Sequence, residues 1–325
     1  MKSVKVKAHA NIALIKYWGK KDEKLFLPFN SSLSLTLDAF YTITDVKVID
    51  GKSDVFYLDG KIQDEEETSK ISKFIDRFRK LSNKDFCVRI DSKNHFPTAA
   101  GLASSASGFA ALAGALNEIY ETRLDKKHLS IMARKGSGSA TRSLFGGFVE
   151  WKKGHDDLSS FAEKFDDANW DIGMIIVILN DKKKKVLSRA GMKQTVETCP
   201  FYPAWVEDAK KDLEDIKVAI KEQDLDKVGE IAEYSAMKMH ATMMATRPSI
   251  IYMQPKSLEV INMVKELRHQ GLSCYVTMDA GPNVKIITSS RFKDEIIDKL
   301  KNIIDKDKII YSKVGTDLEI LERVI

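Results

Sequence analysis

The stretch PTAAGLASSAS, residues 97–107, runs directly into an apolar helical pattern over 108–120, and this junction constrains the fold more than any other part of the chain. Small residues let backbone approach a ligand closely, and the helix that follows offers unpaired N–H groups and partial positive charge to an anion. Pro97 stops a preceding strand, Gly101 can take a positive φ, and Ser104, Ser105 and Ser107 can cap the helix or donate hydroxyls to oxygens of an anion. Read locally, the stretch suits a phosphate cradle and a plain serine-rich helix cap about equally. It is not a Walker A loop, because GxxxxGK[ST] occurs nowhere in the chain.

The segments around this junction alternate with period two before it and mix helices with strands after it. VKVKA, 4–8, reads as a strand, and LSLTLDAFYTITDVKVI, 33–49, as extended antiparallel structure, with a hairpin turn at Asp59-Gly60. Between them Tyr17 and Trp18 sit beside Lys16 and Lys20 with Gly19 free to turn, so aromatic bodies and ammonium tips can line one pocket. Residues to about 81 form an amphipathic helix carrying Lys70, and FCVRI, 86–90, is a strand. A second helix, 124–135, ends at GSGSATRS, where Ser137, Ser139, Thr141 and Arg142 crowd four donors into six residues at a cost in helix propensity. Arg142 offers a rigid fork suited to carboxylate or phosphate.

In the second half, the continuous apolar run at 172–180 is a central strand, and KKKKVLSRAGM beyond it reads as a mobile, solvated loop. Helices follow at 201–222 and 225–244, the methionines at 237, 239, 243 and 244 serving as core packing. The order helix 256–269, strand 272–278, turn 279–283, strand 284–288, helix 292–303, strand 308–314 suits an α+β sandwich of ferredoxin type. Asp279 opens that turn, and turn geometry is the commoner reason for an aspartate before Ala-Gly-Pro, with a chemical role the alternative.

A length of 325 residues accommodates two domains with real cores, and 43% hydrophobic with 30% charged residues is ordinary for a globular protein. With no apolar run long enough for a membrane span and no signal-peptide core, the expected setting is cytoplasmic. Cys87, Cys199 and Cys274 are odd in number and widely spaced, which suits reduced thiols. No histidine spacing suits a transition metal, leaving Mg²⁺ with a nucleotide as the metal to expect. A net charge of +5 is spread over 52 basic and 47 acidic residues with no aromatic interleaving, so no nucleic-acid partner is expected.

AHANIALIKYWGKKD (8–22), PTAAGLASSAS, GSGSATRSLFGGFVEW (136–151) and MDAGPNVK (278–285) stand in the order found in the GHMP kinase superfamily. Within it, the chain most resembles the mevalonate diphosphate decarboxylase family. The resemblance implies an α+β, two-domain GHMP kinase-like fold. Residues 1–183 would form a domain like domain 2 of ribosomal protein S5, with the phosphate loop, and 184–325 a ferredoxin-like domain with the catalytic aspartate.

The implied reaction is ATP-dependent decarboxylation of mevalonate diphosphate to isopentenyl diphosphate. The resemblance makes Asp279 and Arg142 catalytic. It places Tyr17, Trp18, Gly19, Lys20, Lys70, Ser137, Gly138, Ser139, Ala140, Thr141, Ser188 and Arg189 with Arg142 on the substrate. It gives ATP to Ala99, Ala100, Gly101, Leu102, Ala103, Ser104 and Ser105 with Lys183 or Lys184, and Mg²⁺ to the neighbourhood of Ser104. A homodimer is also implied. The competing expectations are a sister enzyme acting on mevalonate or its monophosphate and, from a different class, an RNA-binding module on the same first-domain fold.

Overall fold

A computed structural model describes residues 2–96, 104–180 and 186–324. The alternating N-terminus extends further than VKVKA: β1 (Ser3–Ile15) continues through NIALI, with register shifts that turn it from one apolar layer to another. A short hairpin, β2 (Lys20–Asp22) and β3 (Leu27–Pro28), precedes β4 (Ser32–Ile49), where the seventeen-residue alternation folds as one strand antiparallel to β1. β5 (Val55–Leu58) and β6 (Lys61–Ile62) form the hairpin around Asp59-Gly60. Next comes α1 (Glu65–Ser82), which starts where Asp64 accepts from the Glu67 N–H and ends at Asn83 with φ 55°. β7 (Cys87–His95) pairs with β4, and α2 (Ser104–Ile119) and α3 (Lys126–Arg134) follow. β8 (Phe148–Trp151) and β9 (Ala162–Asp166) complete this part of the sheet. Apolar residues of α1, α2 and α3 cover one face of it, around Val4, Val6, Ala8, Val46 and Ile90.

Beyond this sheet lie β10 (Gly173–Val177), α4 (Ser188–Thr198), α5 (Tyr202–Lys221), α6 (Leu225–Met244), α7 (Pro255–His269), β11 (Cys274–Met278), β12 (Val284–Thr288), α8 (Lys293–Leu300) and β13 (Ile309–Ser312). The second sheet has the order β11-β12-β10-β13, and with α7 and α8 its chain order is β-α-β-β-α-β, the ferredoxin arrangement. Every residue of β10 is buried because both faces are covered. Met174 and Ile176 enter a core with α5, α6, β1 and β4, while Ile175 and Val177 enter one with α7 and α8.

Three expectations change. A division at 183/184 would place β10 in the first half, yet β10 bonds to β12 and β13, so the break in hydrogen-bonded structure precedes Gly173. The last strand, β14 (Glu319–Val324), returns to pair with β1 in the first sheet. The segment read as a mobile loop after the lysine run includes helix α4, whose Gly191 and Thr195 are buried. All three cysteines are free, Cys199 and Cys274 buried. Met239 and Met243 are core residues as expected, whereas Met244 is exposed.

Candidate active site

A cavity of about 310 Å³ lies where the end of β1, the N-termini of α2 and α4, the turn after β11 and a 3-10 turn at Gly138–Leu144 converge. On its wall, Asp279 is held by two ammonium groups, one just past the end of β1 and one on β12. Lys16 Nζ donates to Oδ1 at 2.9 Å, and Lys285 Nζ stands 3.1 Å from Oδ2. Lys16 also donates to the Ala13 carbonyl at 2.7 Å, while its own backbone N–H is received by Ser235 Oγ on α6 at 3.2 Å. Burial raises the carboxyl's proton affinity, but the two ammoniums outweigh it and hold Asp279 well below the ordinary carboxylate range. Burial has the opposite effect on Lys16, bringing it down to about 8 despite Asp279. The carboxylate itself faces the open cavity, with its side chain 38% exposed.

His240 on α6 is buried beside this cluster, its Nε2 without a partner among the described residues and its ring directed to the Asp279 backbone carbonyl. Burial lowers it to about 4, so the imidazole is neutral at physiological pH.

Opposite Asp279, Arg142 is 2% exposed, and burial lowers its guanidinium to about 10. Its Nε donates to Asn11 Oδ1 at 3.1 Å and its Nη1 to Ser32 Oγ. Asn11 is fixed in turn, since its amide donates to the Ser139 carbonyl at 3.1 Å and to Ser143 Oγ at 2.8 Å. The donor-rich GSGSATRS therefore winds as a 3-10 turn that presents Arg142 and Ser139 to the cavity, with Gly138 backing onto Trp151 and Tyr17. A methyl group at Gly138 would lie 2.9 Å from Trp151, which explains the absence of a side chain there.

Anion-binding groups cluster at the other end. Tyr17 lines the cavity with a buried hydroxyl that has no partner among the described residues, and burial pushes its proton affinity up. Lys20, Ser188 and Arg189 line the same end. Ser188 and Arg189 open α4, whose N-cap position is Leu187 and supplies no side-chain cap, so the first-turn N–H groups face the cleft region uncapped by a side chain. Ser105, at the start of α2, is 3.4 Å from Ser137 Oγ, which is 3.2 Å from Ser139 Oγ, giving a line of hydroxyls across the floor.

Not every expected residue reaches the cavity. Lys70 lies on the outer face of α1, 53% exposed, paired with Glu66 at 2.9 Å and Glu67 at 2.7 Å, because the acidic first turn of its own helix is its nearest counter-charge. Ala140 and Thr141 turn into the core, Thr141 Oγ1 donating to the Gly138 carbonyl at 2.8 Å. Trp18 touches the cavity, but its indole is 3% exposed and donates to Thr195 Oγ1 at 2.9 Å, anchoring α4. Gly19 supplies the turn: its φ is +120°, and a side chain there would collide with the Tyr202 hydroxyl, which donates to the Trp18 carbonyl at 2.7 Å. Ala99, Ala100, Gly101, Leu102, Ala103, Lys183 and Lys184 lie outside the described residues, as does the side chain of Ser104.

Lys285, Asn11 and His240 were not assigned roles from sequence, and Lys16 was placed only as a pocket-lining ammonium beside Tyr17 and Trp18, not as a partner of Asp279. Lys285 carries a visible signal, a lysine inside the wholly buried strand VKIIT. Lys16 closes the apolar run IALI in the same way. Asn11 and His240 carry no comparable local mark.

Family models for a diphosphomevalonate decarboxylase-like N-terminal domain and a mevalonate 5-diphosphate decarboxylase C-terminal domain match residues 8–162 and 174–321. The diphosphomevalonate decarboxylase of Ganoderma lucidum is 40% identical over 90% of this chain and 79% of its own. The Homo sapiens diphosphomevalonate decarboxylase is 36% identical over 86% of this chain and 75% of its own. Among solved structures, mevalonate diphosphate decarboxylase from Staphylococcus aureus superposes with a TM-score of 0.95 at 46% identity, covering 99% of this chain and 98% of that one. MDDEF in complex with MVAPP, AMPPCP and magnesium superposes with a TM-score of 0.94 at 45% identity, covering 99% of both chains.

Proposed function

The chain belongs to the diphosphomevalonate decarboxylase family, and from that premise we propose how its cavity divides the work of ATP-dependent decarboxylation. The reaction converts (R)-5-diphosphomevalonate to isopentenyl diphosphate with release of CO₂, ADP and phosphate. The observation that carries the assignment of roles is the Asp279 carboxylate, clamped by Lys16 and Lys285 and opposed by Arg142 across one cavity.

A tertiary hydroxyl leaves poorly, so it must first accept the γ-phosphoryl group of ATP. Asp279 orients that hydroxyl toward the phosphorus. Held so far below the ordinary carboxylate range, it is a weak base, which suffices where the hydroxyl proton is lost late in a loose phosphoryl transfer. Departure of phosphate leaves positive charge on the tertiary carbon, and a fixed, ionised Asp279 stabilises that charge as it forms. Loss of CO₂ then supplies the electron pair of the new double bond.

Arg142 positions the substrate carboxylate for this step. Tight ground-state binding would oppose conversion to neutral CO₂. Committing the guanidinium's Nε and Nη1 to Asn11 and Ser32 leaves it orienting more than gripping.

Tyr17, Lys20, Ser137, Ser139, Ser188 and Arg189 hold the substrate diphosphate and backbone, and the start of α2 with the stretch Ala99 to Ala103 holds the nucleotide phosphates. Among the described residues no group of three His, Cys, Asp or Glu side chains could hold a metal, so Mg²⁺ would arrive on ATP phosphates with a hydroxyl such as that of Ser104 or Ser105 at hand. When bound, the ion neutralises charge building on the transferring phosphates. Lys183 or Lys184 remains the proposed nucleotide lysine.

A homodimer in the cytoplasm, without nucleic-acid or membrane partners, belongs to the same proposal; no described helix is long and apolar enough to cross a membrane. Light scattering at assay concentration tests the dimer. The function is tested by CO₂ release from carboxyl-labelled diphosphomevalonate with and without ATP, beside mevalonate and its monophosphate. Release only with ATP and the diphosphate is the expected result, and phosphorylation of mevalonate without CO₂ would overturn it.

A further inference from the structure

Phe26 occupies an unusual position at the tip of the β2–β3 hairpin. Asp22 winds the tip by accepting from the backbone N–H groups of Lys24 and Leu25, both at 2.8 Å, and the chain then passes through Phe26 with φ 57°. Glycine or asparagine is the ordinary choice for such a left-handed residue, and a bulky side chain there is disfavoured. The ring is turned into the cavity rather than out to solvent. Lys20 Nζ sits 4.1 Å from its centroid, and the Arg189 guanidinium carbon 6.0 Å, so two cations lie over one aromatic ring.

We infer that Phe26 is a positioning residue for the diphosphate end of the cavity, its ring holding Lys20 and Arg189 in place while leaving their N–H groups available to phosphate oxygens. This rests on the reading of Lys20 and Arg189 given above. The physical advantage of a ring is specific. A carboxylate between two cations would satisfy their donors and compete with the substrate's oxygens, whereas an aromatic quadrupole attracts both charges without accepting their hydrogen bonds. Glu23, the carboxylate that does pair with Lys20 at 3.0 Å, is 60% exposed, while the Lys20 side chain is 5% exposed. The partner on the solvent side is therefore the one a diphosphate can displace, and the ring stays. Burial lowers the proton affinity of Lys20, Glu23 opposes that shift, and Arg189 nearby adds to it. An unfavourable backbone conformation retained by an aromatic residue is the kind of strain that collects at ligand sites.

The test uses the full-length protein and inorganic pyrophosphate as probe, titrated calorimetrically with the nucleotide site filled by ADP, together with steady-state kinetics. Phe26→Leu keeps an apolar side chain but lacks the quadrupole; Phe26→Tyr keeps it; Phe26→Gly relieves the positive φ. Pyrophosphate binding and the substrate KM should weaken about 5-fold in the leucine variant, with kcat and the KM for ATP within about 2-fold of the parent. Tyrosine should restore both, and glycine should bind as poorly as leucine while melting no lower than it. Parental pyrophosphate affinity in Phe26→Leu, alongside lost affinity in Lys20→Ala, would overturn the role of Phe26 alone. If Lys20→Ala also binds pyrophosphate as the parent does, the diphosphate assignment fails with it. A leucine variant that loses kcat and both KM values together with its melting temperature would show a folding role and likewise overturn the inference.

Discussion

Replacing Asp279 by asparagine separates chemistry from structure, and the surroundings of the carboxylate set the size of each effect. Viewed as a turn residue, Asp279 should tolerate asparagine with little loss of stability. The two ammoniums change that expectation. Lys16 is 1% exposed and already lowered from 10.5 to about 8 with the carboxylate present. Its burial therefore opposes folding by about 3 kcal/mol at neutral pH, at about 1.4 kcal/mol for each tenfold change in proton affinity. Without the carboxylate Lys16 falls further, but at about pH 7 the amine escapes by losing its proton, which caps the added penalty through Lys16 at about 1.4 kcal/mol, the single unit between about 8 and 7.

Including the lost pairing with Lys285, Asp279→Asn should destabilise by roughly 1–2 kcal/mol and lower the melting temperature by a few degrees. Removal of the charge that faces the reacting carbon should reduce turnover by a factor on the order of 10³ or more. The sign of the pH effect is an independent check. With its folded value below the unfolded one, Lys16 binds more protons in the unfolded chain between about pH 8 and 10.5, so its contribution to stability rises with pH across that window. In the variant the window should begin at lower pH. The assay is CO₂ release at saturating ATP and substrate, measured beside melting temperature from about pH 7 to 10. A folded variant with near-parental CO₂ release would refute the assignment of Asp279 to the reacting centre, and an unchanged pH slope would refute the clamp.

Arg142→Lys keeps the charge but loses the fork that Asn11 and Ser32 hold, and should lower kcat by a factor on the order of 10² with a smaller change in substrate KM, read from initial rates. Arg189→Ala should raise the substrate KM about 10-fold while leaving kcat within about 2-fold; an unchanged KM would remove it from the diphosphate site. Trp18→Phe removes the buried hydrogen bond to Thr195 and should cost about 1–2 kcal/mol in thermal or urea unfolding, with the effect on KM following α4 rather than direct contact.

Local pattern was enough for much of this protein. The alternation over 33–49, the Asp59-Gly60 hairpin, the helix starting after Asp64 and the β-α-β-β-α-β order of the second sheet all follow from side-chain period and turn chemistry, which act between near neighbours. Three of the four motif segments likewise brought Asp279, Arg142, Tyr17 and Lys20 to one cavity, where Arg189 joins them from the stretch after the lysine run. Tertiary structure decided what depends on meetings between distant parts of the chain. Lys16 and Asp279 are 263 residues apart, and only the packing of the two sheets through a shared apolar core makes them partners. The same packing assigns β10 forward and β14 back, since a strand joins the sheet edge that buries its faces and satisfies its backbone, whatever its place in the sequence. Lys70 shows the converse: a lysine credited with a distant partner is taken by the glutamates one turn earlier on its own helix, where a counter-charge costs little to reach.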